Sequence, residues 1–231
     1  MKRKIRMKII LILIVSCVFF SACNDIDNTL SLDTIFDETI YIESDGTEYV
    51  ATPDLTRVYI VYRESMTDEI NSIVNTNMYE TDDIIHDIEF FTGYYGEGVP
   101  EALQNCRCIL IKGDDLAPIC NVAHKFVYCA PDYNIKGLPL PYYGASNFVE
   151  FTIKGMNTAH TRESINTFCK ENSAIFIGMC KIEGYSYRGL IACTNKTQMS
   201  AMQLAYQLNK SNLVKHAMCY SFFPEQPAAI E

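Results

Sequence analysis

The residues that come nearest to a catalytic motif are a serine and two glycines in the second half of the chain. Gly184, Ser186 and Gly189 almost match the G-x-S-x-G pattern of a nucleophile elbow, with one residue too many. That elbow requires a strand that runs directly into a helix. The residues around Ser186 predict instead a hairpin between two strands. We therefore interpret the segment as a turn and expect no catalytic serine.

The histidines and glycines give no sign of a cofactor or metal site. No histidine lies within four residues of another, so the H-E-x-x-H pattern of zinc enzymes is missing. The four are His86, His124, His160 and His216. His216 lies in an apolar segment, where we expect a hydrogen-bonded core or edge residue. Glycine loops that hold nucleotide phosphates are also missing. The sequence therefore predicts no enzyme, no catalytic residue, no metal and no cofactor.

Eight of the ten cysteines lie beyond residue 100. An even number permits disulfides in an exported protein, but no pair has the CxxC spacing. Cys106 and Cys108 would project from one face of a strand. Most of the others stand among apolar residues, where cysteine behaves as a small hydrophobic residue. We favour buried free thiols, with a disulfide framework as the alternative.

Charge excludes one class of partner. The chain has a net charge of −9, and all five basic residues of its first 22 positions lack a neighbouring acid. Without those five, the chain has 14 basic and 28 acidic residues. Contact with phosphates requires clustered lysine and arginine, so we expect no nucleic-acid partner.

The N-terminus has the pattern of a secretion signal. A basic start precedes a 12-residue apolar run, too short to span a membrane core of about 30 Å, and Ser21 and Ala22 follow it. Residues Phe20 to Cys23 resemble the lipobox of bacterial lipoproteins. The resemblance implies lipidation of Cys23 and a lipid anchor in the bacterial cell envelope, with the outer membrane as the expected membrane. The alternative is an ordinary cleaved signal with an incidental cysteine.

The rest of the chain predicts two copies of one order of elements. In the second half, strands are predicted over 147–153, 174–182, 187–194 and 213–220, with helices beginning at Thr161 and Ser200. The first half repeats the order more loosely, with strands over 58–62, 84–91, 107–112 and 125–129 and helices over 67–75 and 114–121. Both halves follow the order β-α-β-β-α-β of ferredoxin-like folds.

We therefore predict an α+β protein of two tandem ferredoxin-like units with antiparallel sheets. The predicted segments are a signal peptide (1–22), a tether (23–47), a first unit (48–135), a linker (136–145), a second unit (146–223) and a tail (224–231). Two tyrosine pairs, Tyr94-Tyr95 and Tyr142-Tyr143, are expected to pack between the units rather than form an adhesive surface. We expect the two units to fold separately.

The second unit resembles the N-terminal propeptide of subtilisin-type serine proteases. The resemblance is carried by residues 148–153, 187–197 and, above all, 200–217, which look like the helix–strand junction of that family. Two positions depart from its pattern, because Asn212 stands in place of glycine and Cys219 in place of proline. The Asp, H-G-T-H and G-T-S-M segments of the protease itself do not follow. The resemblance implies a stand-alone propeptide module.

In that family the sheet docks on the protease and the residues after its last strand lie in the active cleft. Here those tail residues are Phe222, Phe223, Pro224, Glu225 and Gln226. The function implied is that of a membrane-anchored lipoprotein that inhibits a secreted subtilisin-type protease or assists its folding. The alternative is a non-enzymatic cell-envelope binding or interaction lipoprotein that has reused the scaffold.

Overall fold

The structure is a computed structural model and describes residues 36–84, 95, 98–138, 145–153, 159–182 and 187–221. Three sets of predicted features lie outside the described residues. They are the signal peptide with Cys23, the turn around Ser186, and the tail with residues Phe222 to Gln226. Most of the strand predicted over 84–91 and most of the linker also lie outside them.

The first half contains strands β1 (Thr39–Ile42), β2 (Glu48–Arg63), β3 (Glu80–Ile84), β4 (Cys106–Lys112) and β5 (Tyr128–Ile135), with helices α1 (Thr67–Asn77) and α2 (Ala117–Cys120). The second half contains β6 (Ala145–Ile153), β7 (Ile175–Lys181), β8 (Tyr187–Ala192) and β9 (His216–Ser221), with helices α3 (Ala159–Glu171) and α4 (Ala201–Lys210). The protein is therefore of the α+β class, as predicted.

The strands form two sheets in which every described pairing is antiparallel. The first sheet has the order β1-β2-β4-β3, and β5 pairs with the other edge of β2. The second sheet has the order β7-β8-β6-β9. If β1 is set aside, the two sheets place their strands in the same order, because β5-β2-β4-β3 corresponds to β9-β6-β8-β7.

Several strand boundaries predicted from the sequence of the first half are wrong. Residues 39–42 were predicted to be tether, but they form β1 and pair with β2. The strand predicted over 58–62 extends from Glu48 to Arg63, because its largely exposed first half pairs with β1 and β5. β5 begins three residues later than predicted and contains Pro131, which lies beside a bulge in β2 between Asp54 and Val58. A proline has no N–H to donate, so such an irregularity suits it.

Residues Val58 to Tyr62 of β2 are all buried, because both faces of the first sheet are covered. Val58, Ile60 and Tyr62 belong to a core that also contains Ile70 of α1; we call it the first-half core. The residues between them, Tyr59 and Val61, belong to a larger core. Alternate residues of one strand therefore serve two cores, which explains the unbroken apolar run.

The larger core joins the two halves, and we call it the shared core. It contains Tyr59, Val61, Leu110 and Tyr128 of the first sheet, and every buried apolar residue that the structure describes from 145 onward. Tyr95 is also in it, with 5% of its surface exposed, and its hydroxyl donates to Glu150 Oε2 at 3.1 Å. The expected packing between the halves is thus confirmed for Tyr95, whereas Tyr94, Tyr142 and Tyr143 lie outside the described residues.

Candidate functional site

The start of α4 is fixed by its own cap and by the first half of the chain. Ser200 Oγ accepts from the Gln203 N–H at 3.2 Å, and Gln203 Oε1 accepts from the Ser200 N–H at 2.7 Å. This capping box satisfies two backbone donors at the helix N-terminus. Tyr133 also donates its hydroxyl to Ser200 Oγ at 2.7 Å, and Tyr128 accepts from the Ala201 N–H at 2.8 Å. The predicted cap is confirmed, and it is also a contact between the halves.

The turn after α4 explains one departure from the propeptide pattern. Asn212, which stands where that pattern has glycine, has a φ of 60°. Glycine adopts this left-handed conformation readily, and asparagine is among the few other residues that do so at low cost. The backbone at residue 212 therefore has the conformation that a glycine there would favour.

A residue that the sequence analysis missed ties β9 to α4. The side chain of Asn209 donates through Nδ2 to the Ala217 carbonyl at 2.6 Å and accepts the Ala217 N–H on Oδ1 at 2.8 Å. An asparagine in the last turn of a helix, eight residues before a strand residue, gives no sequence signal for such a pair. Asn209 thus holds the end of α4 against the final strand, which begins at His216 rather than at the predicted Leu213.

β9 lies at one edge of the second sheet and pairs, among the described strands, with β6. The pairing sets Thr152 opposite His216 and Val149 opposite Cys219. Cys219, at the position where the propeptide pattern has proline, is completely buried inside this strand. His216 is half-buried, and burial, helped by Lys215, lowers its pKa. His216 is therefore neutral near neutral pH.

The thiols have the properties of core residues. All eight cysteines of the described residues are free; five are buried, as expected, whereas Cys106, Cys120 and Cys180 are half-buried. Burial raises the pKa of Cys108 and Cys169 to about 12, and it also raises the pKa values of Cys129, Cys193 and Cys219. The thiolate is the reactive form, so these thiols are inert near neutral pH.

Two further properties of the described part of the chain concern metals and membranes. No three His, Cys, Asp or Glu side chains within it are arranged to hold a metal ion. None of its helices is long and apolar enough to cross a membrane.

No family model and no curated protein matches the chain. Among solved structures, it is similar to a protein assigned as a glycine cleavage system transcriptional repressor, with 12% identity over 67% of this chain and 88% of that one and a TM-score of 0.23. It is also similar to a protein from Galdieria sulphuraria, with 8% identity over 72% of this chain and 97% of that one and a TM-score of 0.22. With TM-scores this low, neither likeness supports a functional argument. What the described residues define is an α+β protein of two antiparallel sheets.

Proposed function

We propose that this protein is a lipid-anchored, non-enzymatic module of the bacterial cell envelope, built of two tandem ferredoxin-like units. Its second unit docks on a secreted subtilisin-type protease as an inhibitor or folding chaperone. Cys23 carries the lipid, and residues Phe222 to Gln226 enter the protease cleft. The outer membrane is the expected location.

The observation that carries the proposal is the order of elements in the second half. The elements β6, α3, β7, β8, α4 and β9 follow one another as a β-α-β-β-α-β unit, and the sheet order β7-β8-β6-β9 is that of a ferredoxin-like sheet. The first half has the same order once β1 is set aside. The left-handed Asn212 adds support, because the propeptide pattern has glycine there.

The position of β9 supports the role given to the tail. β9 is an edge strand of its sheet and ends at Ser221, so residue 222 follows it directly. An extended segment can pair with an exposed strand of a partner through main-chain hydrogen bonds. Pro224 and Pro227 remove two N–H donors from the tail. We expect them to slow cleavage of a bound tail, which favours an inhibitor over a propeptide that is removed.

Two truncations test the tail. The chain from residue 23, with Cys23→Ser to prevent lipidation, is titrated against secreted subtilisin-type proteases of the same bacterium. One truncated chain ends after Ser221 and lacks the proposed contact residues; its matched control ends after Gln226 and keeps them. We expect inhibition by the whole chain and by the control, and its loss in the shorter chain. If no such protease is inhibited, or if the shorter chain inhibits equally well, the tail mechanism is wrong.

The lipid anchor has its own test. Cells that express the natural chain or the Cys23→Ala variant are labelled with palmitate and fractionated. We expect label and membrane association only for the natural chain, because several acyl chains together hold a protein firmly on a membrane. Equal labelling of both chains would contradict lipidation at Cys23.

A second candidate function is that of an envelope binding lipoprotein that has reused the scaffold. The shared core favours it, because Tyr59 and Tyr128 of the first half pack in the same core as Phe148 and Leu190 of the second. Part of the second sheet is thus covered by the first half. Affinity capture with the whole chain separates the two candidates, since recovery of a serine protease supports only the first.

A further inference from the structure

A polar cleft lies at one end of the first sheet, far along the chain from the tail. Its volume is about 710 Å³, within the range that holds small ligands. It is bounded by the bulge in β2, the end of α1, the start of β3, and the loop after β4. Its lining includes Arg57, Tyr79, Glu80, Lys112 and Asp114.

The pairing of the strands sets two cations side by side on the cleft floor. Arg57 of β2 is directly opposite Lys112 of β4, and Lys112 is directly opposite Glu80 of β3. Directly opposed residues of antiparallel strands project from the same face of the sheet. Like charges in this arrangement repel each other and destabilise the pairing. The two cations therefore place donors for a negative group side by side on the floor of the cleft, which Asp54 also lines.

Each cation is held in place from the side by a carboxylate. Arg57 Nε contacts Asp132 Oδ2 at 2.8 Å, and the Asp132 side chain has only 1% of its surface exposed. Lys112 Nζ contacts Asp82 Oδ2 at 2.5 Å. An ammonium has three donors, so Lys112 can bind a second acceptor without losing Asp82. The cations are thus preorganised, and both line the cleft.

The rim of the cleft carries the opposite charge. Asp114 and Asp115 are exposed on the loop after β4, and Glu80 is exposed at the start of β3. These carboxylates repel a free anion that approaches the floor, but they attract a ligand that also carries a positive group. The ring of Tyr79 and the exposed Met78 line the cleft beside them and provide apolar contact.

We propose that this cleft binds a small zwitterion with a free carboxylate and a free ammonium, which is the chemistry of an amino acid or of a short peptide with free ends. The carboxylate binds at Lys112 beside the charge of Arg57, and the ammonium faces Glu80 and Asp114. The proposal is independent of the proposed protease contact, which uses the other half of the chain. Either can fail without the other.

Binding is tested on the isotope-labelled chain from residue 23, with Cys23→Ser, by amide chemical shifts. The probes are alanine, trialanine, its N-acetylated form, its C-terminal amide, and inorganic phosphate. We expect saturable shifts near Lys112, Gly113 and Tyr79 with trialanine or alanine, and affinity at least tenfold lower for both blocked peptides. Whichever of alanine and trialanine binds more tightly identifies the source of the zwitterion.

Two variants complete the test. Lys112→Gln should weaken binding at least tenfold, while its matched control, Lys125→Gln, should leave binding unchanged. Lys125 also forms an ion pair, with Glu69 at 2.6 Å, but it does not line the cleft. The proposal is overturned if no probe gives saturable shifts, if the amide binds as tightly as trialanine, or if phosphate binds more tightly than either zwitterion.

Discussion

The two sheets of this protein bury their apolar residues in different ways. The first sheet has the first-half core on one face, where Val58 and Ile60 pack with Ile70 of α1. Its other face contributes Tyr59 and Val61 to the shared core. For the second sheet, every buried apolar residue that the structure describes belongs to the shared core. The first half thus has one core made only of its own residues, whereas the buried apolar residues of the second half all lie in the core that the two halves share.

A repeated order of elements therefore does not imply that the two halves are equally independent. Units of this size are near the lower limit at which a single core is sufficient for stability. A unit whose buried apolar residues all lie in a core shared with its neighbour loses part of that core when it is alone. The sequence showed the repeated order, but it led to the expectation of two separable units, and the shared core leads us to expect otherwise.

The largest effect is expected when the two halves are separated. Residues 36–138, expressed alone, should retain a mixed α/β circular-dichroism spectrum with a weakened cooperative melt, because the first-half core is intact. Residues 145–231, expressed alone, should show no cooperative melt. Mixing the fragments should restore one transition if they associate. A cooperative melt of residues 145–231 alone would show that the shared core is not required.

Alanine at two glycines gives the next largest effect and compares the halves directly. A Cβ on Gly189 would lie 2.1 Å from the ring of Phe151, which is 1% exposed and cannot move aside. A Cβ on Gly113 would lie 2.6 Å from the ring of Tyr79, which is half-exposed and can shift if its hydroxyl releases the Asp115 carbonyl. We expect Gly189→Ala to cost about 3 kcal/mol, the upper end for overpacking, and Gly113→Ala about 1 kcal/mol.

Urea unfolding of the two variants measures these costs. The double variant Gly189→Ala, Phe151→Leu removes the ring and should recover part of the loss. Equal costs at the two glycines would mean that Phe151 can relax as freely as Tyr79 does.

Loss of the buried ion pair between Arg57 and Asp132 should cost about as much stability as Gly189→Ala, and this cost should depend on pH. Arg57→Met leaves Asp132 buried without its partner, so we expect a loss of about 3 kcal/mol near neutral pH. Lys125→Met breaks an exposed pair and should cost less than about 1 kcal/mol. The double variant Arg57→Met, Asp132→Asn should recover most of the loss, because no buried charge remains.

The sign of the pH dependence follows from the pKa of Asp132, which burial raises above its usual value in spite of Arg57. The folded protein therefore binds this proton at a higher pH than the unfolded chain does, and this group's contribution to stability falls as pH rises through its raised pKa. Without Arg57 the pKa rises further. The loss in Arg57→Met should shrink as the pH is lowered from about 7 toward about 5, as urea unfolding would show. A loss that is independent of pH would contradict this assignment.

What could be predicted from the sequence was local. The cap at Ser200 depends on a glutamine three residues later, and the strand from Ala145 to Ile153 shows its alternation within its own residues. β1 was missed because it has only four residues, and the first half of β2 because its residues are mostly exposed and show no regular alternation of apolar and polar types. Both are strands through their pairing with each other and with β5, and such pairing gives no periodic signal within one segment.

The cleft could not be predicted for a related reason. Arg57 and Lys112 are adjacent only because β2 and β4 pair in one register, and Asp132 reaches Arg57 across 75 residues of sequence. One signal was present, since an aspartate between Pro131 and Tyr133 in an apolar strand indicates a buried charge with a partner. The identity of that partner required the sheet.

The smallest effect concerns the ends of one helix in each half. α1 is followed by Met78 with a φ of 54°, and the turn after α4 contains Asn212 with a φ of 60°. A left-handed conformation costs most residues 1–2 kcal/mol, but glycine little and asparagine less than most. Met78 is 89% exposed, so its side chain has few contacts to lose. We expect Met78→Gly to raise the free energy of unfolding by about 1 kcal/mol. The relief of strain at residue 78 is partly offset, because glycine gives the unfolded chain more conformational entropy. Asn212→Gly should change the free energy of unfolding by no more than about 0.3 kcal/mol. In thermal melts Met78→Gly should raise the melting temperature by about 2–4 °C for a chain of this length.

Equal stabilisation at both positions would mean that asparagine is as strained here as methionine. The glycine of the propeptide pattern would then be a requirement that this chain fails to meet, rather than one that Asn212 satisfies.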